Sequence, residues 1–259
     1  MEYISYKRIV DHLDIERGDS LHISSDIRLI MRSAGKNGEM FDIGELINSF
    51  QRKLGTEGTL IFPTFNWDFC KGLPFDYRKT LCMTGSLGQA ALRRDDFART
   101  AHPMYSFAVW GKDKDLLCGL RNKSGFGHDS PFAYLNENAK GLMFSLPFSK
   151  GFTFNHFVEE ISGHVTYRYM KDFTAEYIDD DGKSNVRTYS MFVRDLDLDV
   201  KNATWFMASH LKELGVMNSY EVNGSEFHVF KFSETYEPVL RDILYNRSRK
   251  ICTYIGQNE

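Results

Sequence analysis

The segment Thr153-Phe-Asn-His156-Phe-Val-Glu159-Glu160 carries the most informative spacing in the chain. If Thr153 opens a helix, His156 and Glu159 stand three residues apart on one face, where a carboxylate can orient an imidazole or raise its pKa. An imidazole polarised in this way is a general base for taking a proton from an attacking nucleophile. The same spacing also fits a plain surface His–Glu pair on an amphipathic helix, so the spacing alone leaves both readings open. A metal centre is the weaker reading, because carboxylate-bridged bundles use Glu-x-x-His in two copies and zincins use His-x-x-x-His, and neither occurs here.

Two further clusters sit where α/β proteins place ligand contacts. His102 and Pro103 lie in Ala101-His102-Pro103-Met104-Tyr105-Ser106, immediately before an apolar strand-like run that ends at Gly111. Gly18-Asp19-Ser20 leads into a run closed by Ser24 and Ser25, two hydroxyls at a strand end, where an open sheet receives ligands and free backbone N–H groups can hold a phosphate. Serines that simply terminate a strand would look the same. Four cysteines, Cys70, Cys82, Cys118 and Cys252, stand in separate neighbourhoods without a C-x-x-C pair, which argues for reduced packing thiols over a disulfide or zinc framework.

These groups must be positioned by one folded body. The chain has 259 residues, 42% hydrophobic and 26% charged, with 6 Pro and 20 Gly, which excludes disordered, collagenous and low-complexity classes. A net charge of −3 is too balanced to call for a nucleic-acid or membrane partner, so a charged ligand must be met locally. No apolar run approaches the roughly twenty residues of a membrane span, and the first residues lack a secretory h-region, so the expected location is the cytoplasm.

Without repeats or linkers, a single domain over 1–259 is expected, with an α/β body to about residue 163 and a β-rich part from 164 onward. Ser20–Ser25 and Thr59–Phe62 read as strands, with Ile43, Leu46, Ile47, Phe50 and Leu54 at helical spacing between them, which makes a β-α-β unit. Ser106–Trp110 and Gly141–Leu146 read as further buried strands, with a helix near Ser86–Arg94. The fold class expected is therefore α/β, a three-layer α/β/α body on a mixed central sheet. Beyond it, Val165–Tyr169, Phe173–Ile178 and Asn185–Val193 read as strands of an antiparallel extension. A helix over Thr204–Leu214, a hairpin at Asn223-Gly224 and an amphipathic segment over Glu234–Asn246 complete the chain.

In series, GDSLHISSD, GTLIFPTF, HPMYSFAVWG, FGHDSPFAYL and the Thr153-x-x-His156-x-x-Glu159 element resemble the aminoglycoside 3-N-acetyltransferase family from about Arg17 to Lys171. The resemblance implies acylation of an amine from acyl-CoA, either acetyl-CoA or a longer acyl-CoA, with no metal. It makes His156 the catalytic base and Glu159 its supporting carboxylate. Ser24 and Ser25 become part of the CoA site, with Thr64, Ser106 and His102 lining the cleft beside Thr153. The family also holds enzymes for other amino sugars, including nucleotide-linked ones used in surface polysaccharides such as O-antigen.

Two segments depart from the family pattern: Ile23-Ser24-Ser25-Asp26, and Ser145-Leu-Pro-Phe-Ser149-Lys150-Gly151 in place of a glycine-rich run. The second leaves the acyl chain open. A polycationic aminoglycoside would favour an acidic protein, whereas this chain is near neutral and sets basic residues among aromatics at Tyr77-Arg78-Lys79 and Tyr167-Arg168-Tyr169-Met170-Lys171. The expected acceptor is therefore a nucleotide-linked amino sugar, with an aminoglycoside as the alternative. Readings of another class are a Cys–His acyl-enzyme using Cys70, Cys82 or Cys118, and a non-catalytic CoA-binding homologue. The partners expected are small molecules, with no nucleic acid or membrane; a homodimer is left open.

Overall fold

The computed structural model describes residues 2–254. Strand β1 (Ser20–Ser25) leads through α1 (Arg28–Lys36) and α2 (Ile43–Leu54) to β2 (Thr59–Pro63). Asp42 starts α2 by accepting the Glu45 N–H at 3.0 Å, and Gly55, at φ 67°, ends it. There follow β3 (Phe75–Asp76), α3 (Ser86–Ala91), β4 (Ala98–Arg99), β5 (Phe107–Gly111), α4 (Lys114–Gly119), α5 (Pro131–Asn138), β6 (Ala139–Phe144), α6 (Phe148–Gly151) and α7 (Asn155–Ser162). The remainder comprises β7 (Arg168–Ile178), β8 (Ser184–Arg194), β9 (Val200–Asn202), α8 (Trp205–Glu213), β10 (Met217–Val222), β11 (Ser225–Lys231), α9 (Phe232–Asn246) and β12 (Cys252–Tyr254).

The central sheet runs β10-β11-β6-β1-β2-β5-β4. Its middle strand β1 is parallel to both β2 and β6, while β5 and β11 run antiparallel to their neighbours, so the sheet is mixed. Alternation along the strands divides the apolar residues between two cores. Leu21, Ile23, Leu60 and Phe62 face α1 and α2, whereas Ile61, Val109 and Met143 face the side packed by α5, α7 and α9. Helices on both faces of one sheet make the expected three-layer α/β/α body. Among the described residues no helix is long and apolar enough to cross a membrane.

The later half departs from its sequence reading in two ways. Val165–Tyr169 and Phe173–Ile178 contribute to one continuous strand, β7, because each residue from Arg168 to Ile178 pairs across to β8 and nothing between them breaks the ladder. The expected extension is also divided. The β10–β11 hairpin, turning at Asn223 and Gly224, joins the edge of the central sheet through β6, while β7 and β8 form a separate sheet with β3.

Candidate active site

A cleft of about 210 Å³ opens at the carboxyl ends of β1, β2 and β6, lined by residues that include Ser24, Ser25, Phe65, Trp67, Leu146, Lys150, Thr153 and His156. Ser24 projects from the same face of β1 as His22, the face that α7 covers. Its Oγ donates to the Gly151 carbonyl at 3.3 Å, which ties the strand end to the short helix α6. A Cβ at Gly151 would stand 2.5 Å from Met143 Cε and 2.8 Å from Leu146 Cδ2, so a larger residue there would make these side-chain ends shift.

Helix α7 delivers the imidazole. His156 Nδ1 lies 2.6 Å from Glu159 Oε2, with the Asn155 amide 3.0 Å from the same nitrogen. With the proton on Nδ1, between the ring and the carboxylate, Nε2 is left as an acceptor, and it stands 3.5 Å from Asn202 Nδ2 on the cleft wall. The ring of Phe126 supports the imidazole edge to face, 5.6 Å away.

Glu159 is wholly buried and multiply held. Tyr167 donates to its Oε1 at 2.8 Å, and Arg168 Nε stands 2.8 Å from Oε2, an ion pair by charge rather than by an aligned hydrogen bond. Burial pushes the carboxyl pKa up, but His156, Arg168 and Tyr167 outweigh it and hold Glu159 below the usual carboxylate value. His156 is also shifted below its ordinary value, first by burial and then by the Arg168 charge, against the opposing pull of Glu159. The arrangement is a neutral imidazole at neutral pH, backed by a carboxylate that can stabilise the imidazolium once a proton arrives.

A second cavity, of about 410 Å³, also opens onto the imidazole. Trp67, Tyr105, His156 and Asn202 line both cavities. Its outer wall is the β7–β8 hairpin, which contributes Tyr169, Lys171, Phe173, Met191 and Arg194. Among the described residues, no Asp or Glu belongs to the lining of either cavity. Two adjoining cavities therefore share His156.

Not every residue expected at the site reaches it. Ser24, Ser25, Thr153 and His156 line the cleft, with Glu159 directly behind His156. Thr153 does not open the helix: α7 begins at Asn155, and it is the Thr153 carbonyl that accepts the His156 N–H at 3.1 Å. Thr64 and Ser106 are fully buried behind the wall, their hydroxyls 2.9 Å apart, so the expectation that they line the cleft is corrected. His102 is also fully buried. Its Nδ1 accepts the Tyr105 N–H at 3.1 Å and its ring packs against Tyr189, so it locks a loop to the hairpin sheet and does not face a substrate.

Of the basic–aromatic tracts, Tyr169 and Lys171 reach the second cavity, and other members are taken up by the protein itself. Arg168 is committed to Glu159, and the Tyr77 hydroxyl donates to the Arg99 carbonyl. Among the described residues no cysteine lines either cavity, and burial pushes the thiols of Cys70 to about 11 and Cys118 to about 12, which leaves them protonated. Sequence reasoning missed Asn202, Trp67 and Tyr105. Asn202 comes from β9, and the aromatic pair could not be told from core residues by pattern.

The family model for aminoglycoside 3-N-acetyltransferase matches residues 30–241, well past Lys171, where the motif likeness ends. No curated protein sequence matches the chain. Among solved structures, aminoglycoside acetyltransferase AAC(3)-Xa is 17% identical, with a TM-score of 0.77 over 92% of this chain and 91% of its own. YokD protein from Bacillus subtilis is also 17% identical, with a TM-score of 0.76 over 97% of each chain. AAC-IIIb, solved as a binary complex with CoASH, is 14% identical with a TM-score of 0.76 over 98% of each. With the family match spanning most of its length, the chain belongs to the aminoglycoside 3-N-acetyltransferase family and is an acyl-CoA-dependent N-acyltransferase.

Proposed function

We propose that the protein transfers an acyl group from a CoA thioester to the amino group of an amino sugar carried on a nucleoside diphosphate, by direct attack with His156 as general base. The thioester would occupy the cleft beside Ser24, Ser25 and Lys150, and the amine would enter along the β7–β8 hairpin. The ammonium loses one proton to solvent on the way to the free amine. As the amine nitrogen bonds to the thioester carbon, His156 Nε2 takes a second proton from it. When the C–S bond breaks, the imidazolium returns that proton to the departing sulfur, leaving an amide and CoA thiol. Glu159 stabilises the imidazolium in between and keeps Nε2 aimed at the junction of the two cavities. A CoA thioester and a nucleotide-linked sugar also fit the cytoplasmic location expected from the sequence.

The observation that carries the acceptor class is the charge of the second cavity. Lys171 and Arg194 line it and, among the described residues, no carboxylate does, which favours a diphosphate and opposes a polycation. The aromatic lining of Trp67, Tyr105 and Phe173 suits a base or a deoxy sugar. The opposing reading, an aminoglycoside, rests on what the structural neighbours are named for. The two separate in one assay: CoA release from acetyl-CoA and from a longer acyl-CoA, against nucleotide-linked amino sugars and against aminoglycosides. The highest kcat/KM is expected for a nucleotide-linked sugar. If gentamicin or kanamycin gives it instead, the aminoglycoside reading replaces this one.

A further inference from the structure

Arg99 is a cation buried to 2% exposure, and among the described residues no carboxylate pairs with it. Burial lowers its pKa to about 10, which leaves it charged at neutral pH. A charge in this setting is tolerable only if its N–H groups are met, and here they are met by oxygens from two separate parts of the chain. Nε donates to Ser106 Oγ at 3.0 Å and one terminal nitrogen to the Thr64 carbonyl at 3.2 Å, both at strand ends behind the cleft. The other terminal nitrogen donates to the Thr80 carbonyl at 2.6 Å, and the guanidinium lies 4.7 Å from the Phe75 ring centroid. Thr80 and Phe75 belong to the long excursion between β2 and α3, the segment that carries Trp67 between the two cavities.

We infer that Arg99 is a positioning residue for the acyl-transfer site: its fork ties the excursion to the strand ends and so sets where Trp67 stands between thioester and acceptor. Only a planar fork spans these three directions at once, and the point charge of lysine does not. Residue 99 touches neither cavity, so its effect is on binding and alignment, with proton transfer at His156 left alone. The inference rests on the reading of the first cavity as the thioester cleft.

The test uses full-length protein in which Trp110 and Trp205 are replaced by phenylalanine, leaving Trp67 as the only tryptophan. CoA alone is the probe. In the Arg99 protein CoA is expected to quench Trp67 emission. In Arg99→Lys the unliganded emission should shift to longer wavelength and the Kd for CoA should rise at least fivefold. With acetyl-CoA and the best acceptor of the panel, KM values should rise at least fivefold. At saturation kcat should stay within threefold, and the pH midpoint set by His156 should not move. Tyr77→Phe, which removes the hydroxyl bracketing the Arg99 backbone but leaves the guanidinium, should give the same changes more weakly, and it carries the test if Arg99→Lys does not fold. If only the melting temperature falls while Kd, KM and emission stay within twofold, Arg99 is merely structural and the inference is wrong. A displaced pH midpoint also overturns it. Absence of any CoA effect on Trp67 in the Arg99 protein overturns both this inference and the thioester-cleft reading, whereas an equal quench in both proteins overturns this inference alone.

Discussion

The two cavities that meet at His156 have walls of different construction. The cleft at the strand ends is backed by buried polar groups bonded to one another: Ser24 to the Gly151 carbonyl, Thr64 to Ser106, and both of these to Arg99. The facing cavity is walled by side chains of the β7–β8 hairpin, which lies in a separate sheet beside the central one. The hairpin is held to the body by its pairing with β3, by the Ser124–Ser190 bridge, by Tyr177 donating to the Ala101 carbonyl, by Tyr189 packed on His102, and by the Lys123–Asp172 and Arg168–Glu159 pairs. Lys171 and Arg194 on the hairpin can change without touching the cross-bonded strand ends behind the cleft. The proposed function puts the thioester in the first cavity and the acceptor in the second.

The largest effect should come from the shared centre. His156→Asn is expected to lower kcat at least a hundredfold, within the ~10²–10⁴ range of general-base catalysis, while the Kd for CoA stays within threefold. More than a tenth of the kcat remaining with chemistry rate-limiting would remove the base assignment. Next, Lys171→Ser with Arg194→Ser should cost the acceptor's kcat/KM about thirtyfold and leave the KM for acyl-CoA unchanged, since the pair belongs to one wall only. Equal losses for both substrates would erase the division between the walls.

Stability against acid sharpens the comparison from another side. Burial lowers His22 to about 3 and His102 to about 4, and lowers His156 as well. Below the unfolded value near 6.5 the unfolded chain takes up protons that these folded imidazoles refuse, so stability present above pH 6.5 is lost as pH falls toward 4. Each contributes a slope of up to about 1.4 kcal/mol per pH unit. Urea unfolding across this range should show it, and His102→Gln should make the slope shallower. The smallest effect is expected for Cys70, Cys82 and Cys118 replaced together by alanine or serine: kcat within twofold, with ternary-complex kinetics. An acylated cysteine in intact-mass spectra would contradict direct transfer.

What could be read before folding was whatever is local. The β-α-β start is written in periodicity and ends in its own cap and glycine, and His156 and Glu159 declare themselves because a helix turns three residues into neighbours. Arg168 was legible only as a basic residue among aromatics. Its pairing with Glu159 depends on the chain reversing after α7, which no spacing encodes. Thr64 and Ser106 mark strand ends correctly, but which way a hydroxyl turns there is decided by Arg99, a partner from a third strand. Asn202 reaches His156 from β9 by tertiary contact alone.

The central place of β1 also bears on how the protein acquires its site. β1 finds β2 after a short connection, yet its other neighbour, β6, begins only at Ala139, which pairs with Ser20. A chain emerging from synthesis can form the first β-α-β unit early, but Ser24 and Ser25 have no second flank until Met143 and Phe144 arrive beside them. Pairings this distant in sequence carry a large loop-closure cost and place the domain among slow folders. Until that step, the apolar edge of β1 is open to the wrong partner, so folding yield in cells should depend on how long the strand waits.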